Sequence, residues 1–148
     1  MWQGSVDSIN ITSDTGEDMR SVNEVRALAG KGLEGDRYFE HTKPDGQVTL
    51  IEAEAIEALA QESNVELKPG DARRNIVTRG VALNHLVEQE FRVGEVTLRG
   101  IRLCEPCAHL AGLTDQKVLP GLVHRGGLRA QILNDGVIRV GDSVQQQS

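Results

Sequence analysis

At 148 residues with 39% apolar side chains, the chain is long enough to fold around its own core without disulfide bonds. Its net charge of −6 argues against a broadly basic face for nucleic acid, and no apolar run approaches the roughly 20 residues that cross a bilayer. We therefore expect one domain over residues 1–148, with no nucleic-acid or membrane partner. The N-terminus lacks a basic-then-apolar export signal, which predicts a cytoplasmic protein.

Short alternating segments dominate the first half of the chain. Residues 6–11, 22–28 and 47–51 alternate apolar and polar side chains, the period of two that predicts strands. Residues 52–61 instead have the spacing of an amphipathic helix and contain several strong helix formers. The first half is therefore predicted to be mainly β-strand, with one helix.

Two polar segments in this half are candidate binding sites. The loop 30–37 contains three glycines, and a surface turn with positive φ is its simplest interpretation. Its Asp36 and Arg37 are candidates to hold a partner loop or an anion. Residues 72–78 predict a short strand whose start carries Arg73 and Asn75. This start is either a solvated strand end or an oxyanion clamp, because guanidinium groups match the geometry of phosphate and carboxylate.

The second half also favours short strands. Residues 83–87 predict one helical turn, and residues 96–103 predict a strand. The clearest predicted hairpin joins residues 130–133 to residues 137–140 through Asp135-Gly136, because Asp-Gly favours the primed turns, and we expect its last strand to pack inside a barrel. Many short strands, few helices and no internal repeat predict a mostly β fold, a closed or nearly closed β-barrel with a few short helices.

The candidate chemistry lies at Cys104 and Cys107, the only two cysteines, directly after the strand 96–103. Pro106 fixes a backbone angle just before the second thiol. In a reducing compartment, two cysteines favour catalysis, sulfur handling or metal binding over a structural disulfide. We predict that Cys107, at the turn, is the reactive thiol and that Cys104 is auxiliary.

Other hypotheses use the same cysteines. Cys104 and Cys107 could form a thiol redox pair, or half of a zinc site completed by His109 or His124. Alternatively, the chain is a non-catalytic cofactor-binding or interaction module in which Cys107 is a buried, structural residue. These alternatives remain open on the residues alone.

Four segments in order resemble the MOSC domain, the C-terminal domain of molybdenum cofactor sulfurases. They are Gly-Leu-Glu-Gly-Asp-Arg at 32–37, Ala-Arg-Arg-Asn-Ile at 72–76, Cys-Glu-Pro-Cys at 104–107 and Gly-Val-Ile-Arg-Val-Gly-Asp at 136–142. The resemblance covers nearly the whole chain and implies a MOSC-like barrel in a stand-alone member of the family.

The resemblance also implies a function in handling the molybdenum cofactor (molybdopterin) and sulfur. It implies that Cys107 carries sulfur as a persulfide or ligates molybdenum, and that Arg73 and Asn75 contact the cofactor. The activity would be that of a sulfur transferase or of a molybdenum-cofactor-dependent reductase. Pyridoxal phosphate would enter only through a separate cysteine desulfurase partner, and a molybdoenzyme would be the other partner.

Further charged residues complete the predicted site. Further candidates to bind the cofactor are Asp36, Arg37, Arg125 and Arg129. The arginines among them suit its phosphate. A thiol near such cations has a lowered pKa and becomes a better nucleophile. We therefore expect a basic pocket in this acidic protein, in which Arg73, Asn75 and the loop 125–129 lie near Cys107.

Overall fold

The computed structural model describes residues 3–13, 19–40, 46–63, 74–103 and 127–146. Within these ranges the chain forms mainly strands, with one α-helix and one turn of 3-10 helix. The elements in chain order are β1 (Gln3–Ile11), β2 (Arg20–Val22), β3 (Glu24–Leu28), β4 (Gly32–Leu33), β5 (Val48–Glu52), α1 (Ala53–Ser63), β6 (Ile76–Arg79), the 3-10 helix (Leu83–Leu86), β7 (Glu90–Val93), β8 (Val96–Leu103), β9 (Leu128–Ile132), β10 (Gly136–Arg139) and β11 (Ser143–Gln146).

Seven of these strands close into a barrel, as the sequence predicts. The order around the barrel is β1, β6, β5, β9, β8, β7 and β11, and β11 returns to β1 by pairing Ser143 with Ser5. β2 extends the sheet beside the C-terminal part of β1. The expectation of a mostly β, MOSC-like barrel with few helices is therefore confirmed.

The sequence does not predict β11, the strand that completes the barrel. Three of its four residues are polar, and Val144 is its one fully buried side chain. The strand is held instead by its two neighbours, β1 on one side and β7 on the other. Backbone pairing therefore compensates for the weak hydrophobic pattern.

The inside of the barrel is filled by alternate residues of its strands, because successive side chains of a strand point to opposite faces. Leu50, Ile76, Phe91, Leu98 and Leu128 are all fully buried in this core. Aliphatic side chains dominate, in keeping with the aromatic content of 3%. The residues between them point outward, and it is there that the polar side chains are found.

β5 and β6 run parallel, with Leu50 opposite Ile76. A parallel pair requires a crossover connection, and α1 lies within it. The buried side chains of Ala53, Ala55 and Ile56 belong to this helix, which packs against both strands and confirms the predicted one. Among the described residues, no helix is long and apolar enough to span a membrane.

The predicted hairpin through Asp135-Gly136 is wrong. β9 pairs with β5 and β8, whereas β10 pairs with β3, so the two strands lie in different sheets. Gly136 lacks the positive φ of a primed turn, and the Asp135 carboxylate accepts a hydrogen bond from the Ala29 N–H at 2.8 Å. β10 therefore joins a second sheet with the order β10, β3, β4, and Val137 is half-buried there rather than inside the barrel.

β10 is an edge strand of this second sheet, and carboxylates cap two of its N–H groups. The Val137 N–H donates to Glu95 Oε2 at 3.2 Å, and the Arg139 N–H donates to Asp142 Oδ2 at 2.8 Å. Between them, Ile138 is fully buried and joins the main core. Ile138 therefore holds the strand against the core, and the two carboxylates occupy the N–H groups of Val137 and Arg139.

Candidate functional site

A row of polar side chains crosses six neighbouring strands on the outer face of the barrel. Residues paired across strands direct their side chains to the same face, and the core residues beside them in sequence point inward. We call this set the polar row. From β2 to β8 it consists of Ser21, Asn10, Asn75, Thr49, Arg129 and Arg102.

Asn75, which immediately precedes β6, is the centre of the row. Its Oδ1 accepts hydrogen bonds from the Thr49 backbone N–H and from Thr49 Oγ1, both at 3.1 Å. Its own backbone N–H donates to Thr49 Oγ1 at 3.0 Å, and its Nδ2 donates to the Asn10 carbonyl at 3.2 Å. With 2% of its surface exposed, Asn75 therefore links β5, β6 and β1 through buried hydrogen bonds.

Asn10 continues the network toward the edge of the sheet. Its backbone N–H donates to the Asn75 carbonyl at 2.7 Å, and its Oδ1 accepts a hydrogen bond from Ser21 Oγ at 2.7 Å. Its Nδ2 donates to Ser8 Oγ at 3.2 Å. Asn10 is fully buried although it faces away from the core, so its polar groups are satisfied by neighbouring strands.

The other end of the row is positively charged. Arg129 is the register partner of Thr49, and Arg102 is the register partner of Arg129 on the next strand. Arg74 adjoins the centre of the row, because it directly precedes Asn75, and it is 8% exposed. Like charges on directly opposed residues raise the local positive potential, which favours an anion there.

The predicted site residues Asn75 and Arg129 are therefore neighbours across a single intervening strand. Two strand spacings separate their backbones, a distance of about 10 Å. Next to the row, Leu103 pairs with Leu128, so the chain leaves for residues 104–126 and returns from them beside the same row. Gly127, with φ of 106°, lies against the Leu50 carbonyl, where a side chain would not fit.

Asp36 and Arg37 lie on the other side of Asn10, near the C-terminal end of β1. The Asp36 carboxylate is 5% exposed and accepts a hydrogen bond from the Thr12 N–H at 3.2 Å. The glycines of this loop at 30, 32 and 35 have positive φ, which confirms the predicted turn. Asp36 therefore holds its loop against the end of β1, and its predicted contact with an anion stays a prediction.

Arg37 is held by soft, uncharged partners. Its guanidinium lies 4.4 Å from the centroid of the Tyr38 ring, and its Nη1 donates to Met19 Sδ at 3.0 Å. Its Nε is buried and has no hydrogen-bond acceptor in the part of the chain that the structure describes. A cation stacked on an aromatic ring keeps its charge, so Arg37 is suited to an anionic ligand.

The remaining predicted site residues lie outside the described ranges. These are Cys104, Cys107, His109, His124, Arg73 and Arg125. The predicted proximity of Asn75 and Cys107 therefore stays a prediction. Within the described ranges, no group of three or more histidines, cysteines and acidic residues is arranged to hold a metal ion.

Thr49, Asn10 and Arg102 belong to the row but are not predicted from the sequence. Thr49 lies between the buried Val48 and Leu50, and Asn10 lies between the buried Ile9 and Ile11. A polar residue at an otherwise apolar strand position was the available signal, because a buried polar group requires partners. The partners themselves depend on the register between distant strands.

The opposite end of β6 carries a different arrangement, made of ion pairs. Arg79 donates to Glu57 Oε1 and Oε2 at 3.1 and 3.0 Å and to Asp7 Oδ1 at 3.4 Å. All three side chains are well exposed. The hydrogen bond from Arg79 lowers the pKa of Glu57, and these carboxylates raise the pKa of Arg79 above its usual range.

Glu52, at the end of β5 beside this cluster, has the reverse shift. Burial raises the pKa of the Glu52 carboxyl, and the like charge of Glu54 adds to this effect. A hydrogen bond from the Leu83 backbone and the nearby His85 oppose it. The pKa of Glu52 is therefore raised, whereas the pKa of Glu57 is lowered.

The closed barrel and its small flanking sheet place the chain among the β-barrel domains. The chain is similar to the YuaD protein from Bacillus subtilis, with a TM-score of 0.84 and 16% identity over 99% of this chain and 100% of that one. It is also similar to YiiM from Geobacillus stearothermophilus, with a TM-score of 0.76 and 17% identity over 98% of this chain and 75% of that one.

YiiM from Escherichia coli gives a TM-score of 0.71 and 21% identity, over 100% of this chain and 71% of that one. These likenesses show the fold. The MOSC domain family matches residues 37–145, and the chain therefore belongs to this family, as the resemblance implies. The family is associated with molybdenum cofactor sulfurase. No curated protein matches the chain significantly.

Proposed function

We propose that this protein binds the pterin molybdenum cofactor along the polar row and handles sulfur through Cys107. Cys107 would either carry a persulfide or ligate molybdenum. Membership of the MOSC domain family supports this cofactor class. The observation that carries the proposal is the position of Asn75 and Arg129, which come from distant parts of the chain to neighbouring places in one row.

The arginines at one end of the row suit the anionic group of a ligand, whereas Asn10, Asn75 and Thr49 are buried and bonded to one another. Arg129 and Arg102 lie on adjacent strands, and guanidinium groups match phosphate oxygens. Arg73 and Arg125 are proposed to add further positive charge. When bound, the molybdenum group would supply oxygen-transfer or sulfur-transfer chemistry, and the arginines would orient it and neutralise its phosphate.

Asp36 and Arg37 would serve the β1 side of the site in two distinct ways. Asp36 holds its loop against Thr12, and Arg37 supplies a positive charge whose described partners are all uncharged. Asp36 lies near the C-terminal end of β1 and Arg129 lies on β9, so a ligand that reached both would cross several strands. Asp36 therefore acts by positioning, and Arg37 by contact.

Sulfur carriage requires a thiolate at Cys107. Neighbouring arginines would lower the pKa of this thiol and increase the thiolate fraction at neutral pH. The thiolate would attack the terminal sulfur of a cysteine desulfurase persulfide, forming a new S–S bond and releasing the thiolate of the desulfurase. Pyridoxal phosphate would act in that partner, and a molybdoenzyme would receive the product.

Metal and pterin analysis of the protein purified from its own source tests cofactor binding. We expect molybdenum and pterin in equal amounts, and a mass increase of one sulfur on Cys107 after exposure to a desulfurase. Cys107→Ser should abolish both sulfur loading and any molybdenum ligation, whereas Cys104→Ser should retain loading. Stoichiometric zinc without pterin would contradict the proposal and favour a zinc site.

Arg139 provides a matched control for a substitution of Arg129 in the polar row. Arg129→Gln should weaken cofactor binding at least tenfold, a loss of about 1.4 kcal/mol. Arg139→Gln removes the same charge from β10, outside the row, and should leave binding unchanged. Equal losses in both variants would indicate a general electrostatic effect rather than a site at the row.

A further inference from the structure

The Asn75 carboxamide has little capacity left for a ligand. Its oxygen can accept two hydrogen bonds, and the Thr49 N–H and Thr49 Oγ1 supply both. Its nitrogen can donate two, and the Asn10 carbonyl takes one. Within the part of the chain that the structure describes, one N–H of the carboxamide therefore has no partner, and its oxygen is fully used.

These bonds join three strands at a point where β6 has just begun. Asn75 directly precedes Ile76, the first residue of β6, and the pairing of β5 with β6 is parallel. Strand ends open more readily than strand centres, because fewer backbone hydrogen bonds hold them. The bonds from Asn75 to Thr49 and Asn10 close this end on both sides.

Two arginines, Arg74 and Arg129, are connected to Asn75 and Thr49 through the backbone and the strand register. Arg74 is bonded to Asn75 through the backbone, and Arg129 is the register partner of Thr49. The position of Thr49 relative to Asn75 therefore sets the spacing between the two arginines. A shift of one strand would move one arginine and leave the other in place.

We infer that Asn75 is a positioning residue, which with Thr49 and Asn10 forms a clasp that holds Arg74 and Arg129 at a fixed separation. The clasp is a property of the barrel itself; its consequence for the ligand rests on the proposed cofactor function. A direct contact from the Asn75 oxygen to the ligand would leave the buried Thr49 groups without their acceptor. The ligand would then be contacted by the arginines and not by this oxygen.

Thr49 makes the inference testable, because its side chain is 6% exposed and bonded to Asn75. Thr49→Val keeps the shape and removes the hydroxyl, whereas Thr49→Ser keeps the hydroxyl. We expect Thr49→Val to weaken binding of the molybdenum cofactor, released from a donor molybdoenzyme, about tenfold, and Thr49→Ser to restore most of the affinity. The double variant of Thr49→Val and Asn75→Ala should bind as weakly as Asn75→Ala alone, because both changes open one clasp.

The opposite pattern would overturn the inference. If Asn75→Ala loses affinity while Thr49→Val binds as the unchanged protein does, Asn75 contacts the ligand directly. Losses that multiply in the double variant would have the same meaning. If Thr49→Val does not fold, Ser21→Ala provides a milder variant, because it removes only the hydrogen bond from Ser21 Oγ to Asn10 Oδ1. It should weaken binding about twofold to threefold. Unchanged affinity in that variant would count against the clasp.

Amide hydrogen exchange on the full chain without cofactor separates this inference from the proposed function. Thr49→Val should accelerate exchange at the Asn75 amide at least tenfold, because that amide donates to Thr49 Oγ1, and leave the Phe91 amide on the far side of the barrel unchanged. Unchanged exchange at Asn75 would overturn the clasp, whatever the protein binds. Accelerated exchange in a protein that binds no cofactor would retain the clasp and reject the cofactor function.

Discussion

The two ends of β6 hold their neighbours by different means. At its start, Asn75 is nearly inaccessible and bonds to Thr49 and Asn10 without any net charge. At its end, Arg79 is well exposed and pairs with Glu57 and Asp7. A buried polar group depends on its partners, because water cannot replace them, whereas an exposed ion pair exchanges its partner for water at little cost.

The comparison indicates which end the site can use. At the start of the strand Asn75 is buried and uncharged, and Arg129 and Arg102 lie on nearby strands of the same row. The end of the strand already has its positive charge satisfied by carboxylates. An anionic ligand at this end would therefore compete with Glu57 and Asp7 for Arg79.

The largest effect is expected from Asn75→Ala. This change leaves the Thr49 N–H, the Thr49 hydroxyl and the Asn10 carbonyl without their partner in a buried place, and should lower the free energy of unfolding by about 3 kcal/mol. Urea titration followed by circular dichroism measures it. Gln89→Ala removes an exposed carboxamide and should cost less than about 0.5 kcal/mol. Equal losses in the two variants would show that the buried bonds of Asn75 add nothing to stability.

Arg79→Met should have a smaller effect, and one that depends on salt. Exposed ion pairs are screened by added ions, so the loss of stability should be visible at low NaCl concentration and shrink at high concentration. The loss in Asn75→Ala should be nearly the same at both concentrations, because its bonds are buried and uncharged. Urea midpoints of both variants at two salt concentrations decide it; a salt-independent loss in Arg79→Met would contradict the comparison.

The smallest effect is expected from Glu52 and Glu57, whose carboxyl pKa values are shifted in opposite directions. The pKa of Glu52 is raised in the folded state above the ordinary value of 4.5, so folding favours its protonated form. That contribution is present below the unfolded pKa and is lost as the pH rises through the folded one. Glu52→Gln is neutral at every pH, so its stability relative to the unchanged protein should increase from acid to neutral pH.

Glu57→Gln supplies the control with the opposite sign. The pKa of Glu57 is lowered by Arg79, so its contribution is present above the unfolded pKa and is lost as the pH falls through the folded one. This variant should be less stable than the unchanged protein at neutral pH and approach it in acid. Urea midpoints across this pH range measure both variants, and a shift of the same sign in both would contradict the assignment.

Elements with a strong local pattern could be predicted from the sequence. β8 (Val96–Leu103) has the predicted bounds, and α1 (Ala53–Ser63) begins within one residue of its predicted start. β11 could not be predicted, because Val144 alone carries its apolar signal and the strand depends on pairing with β1 and β7. Asp135-Gly136 favours a hairpin locally, but the Ala29 N–H donates to the Asp135 carboxylate and β10 pairs with β3 instead of β9.

The candidate site was predictable in part for the same reason. Arg129 and Asn75 stand out in the sequence because their residue types suit an anionic ligand, and the register of β5 brings them together. Thr49 and Asn10 have no such local signal, since their importance comes from bonds between strands that are distant in sequence. Local chemistry can be read from a sequence more readily than the supports that hold it in place.

The carboxylates that cap β10 also bear on how copies of this protein meet at high concentration. An edge strand with free N–H groups is a template on which a strand of another molecule can pair. Glu95 and Asp142 already occupy the N–H groups of Val137 and Arg139, and they place negative charge where an incoming backbone carbonyl would have to approach. The β10 edge of the second sheet is therefore a poor template for a strand of another molecule.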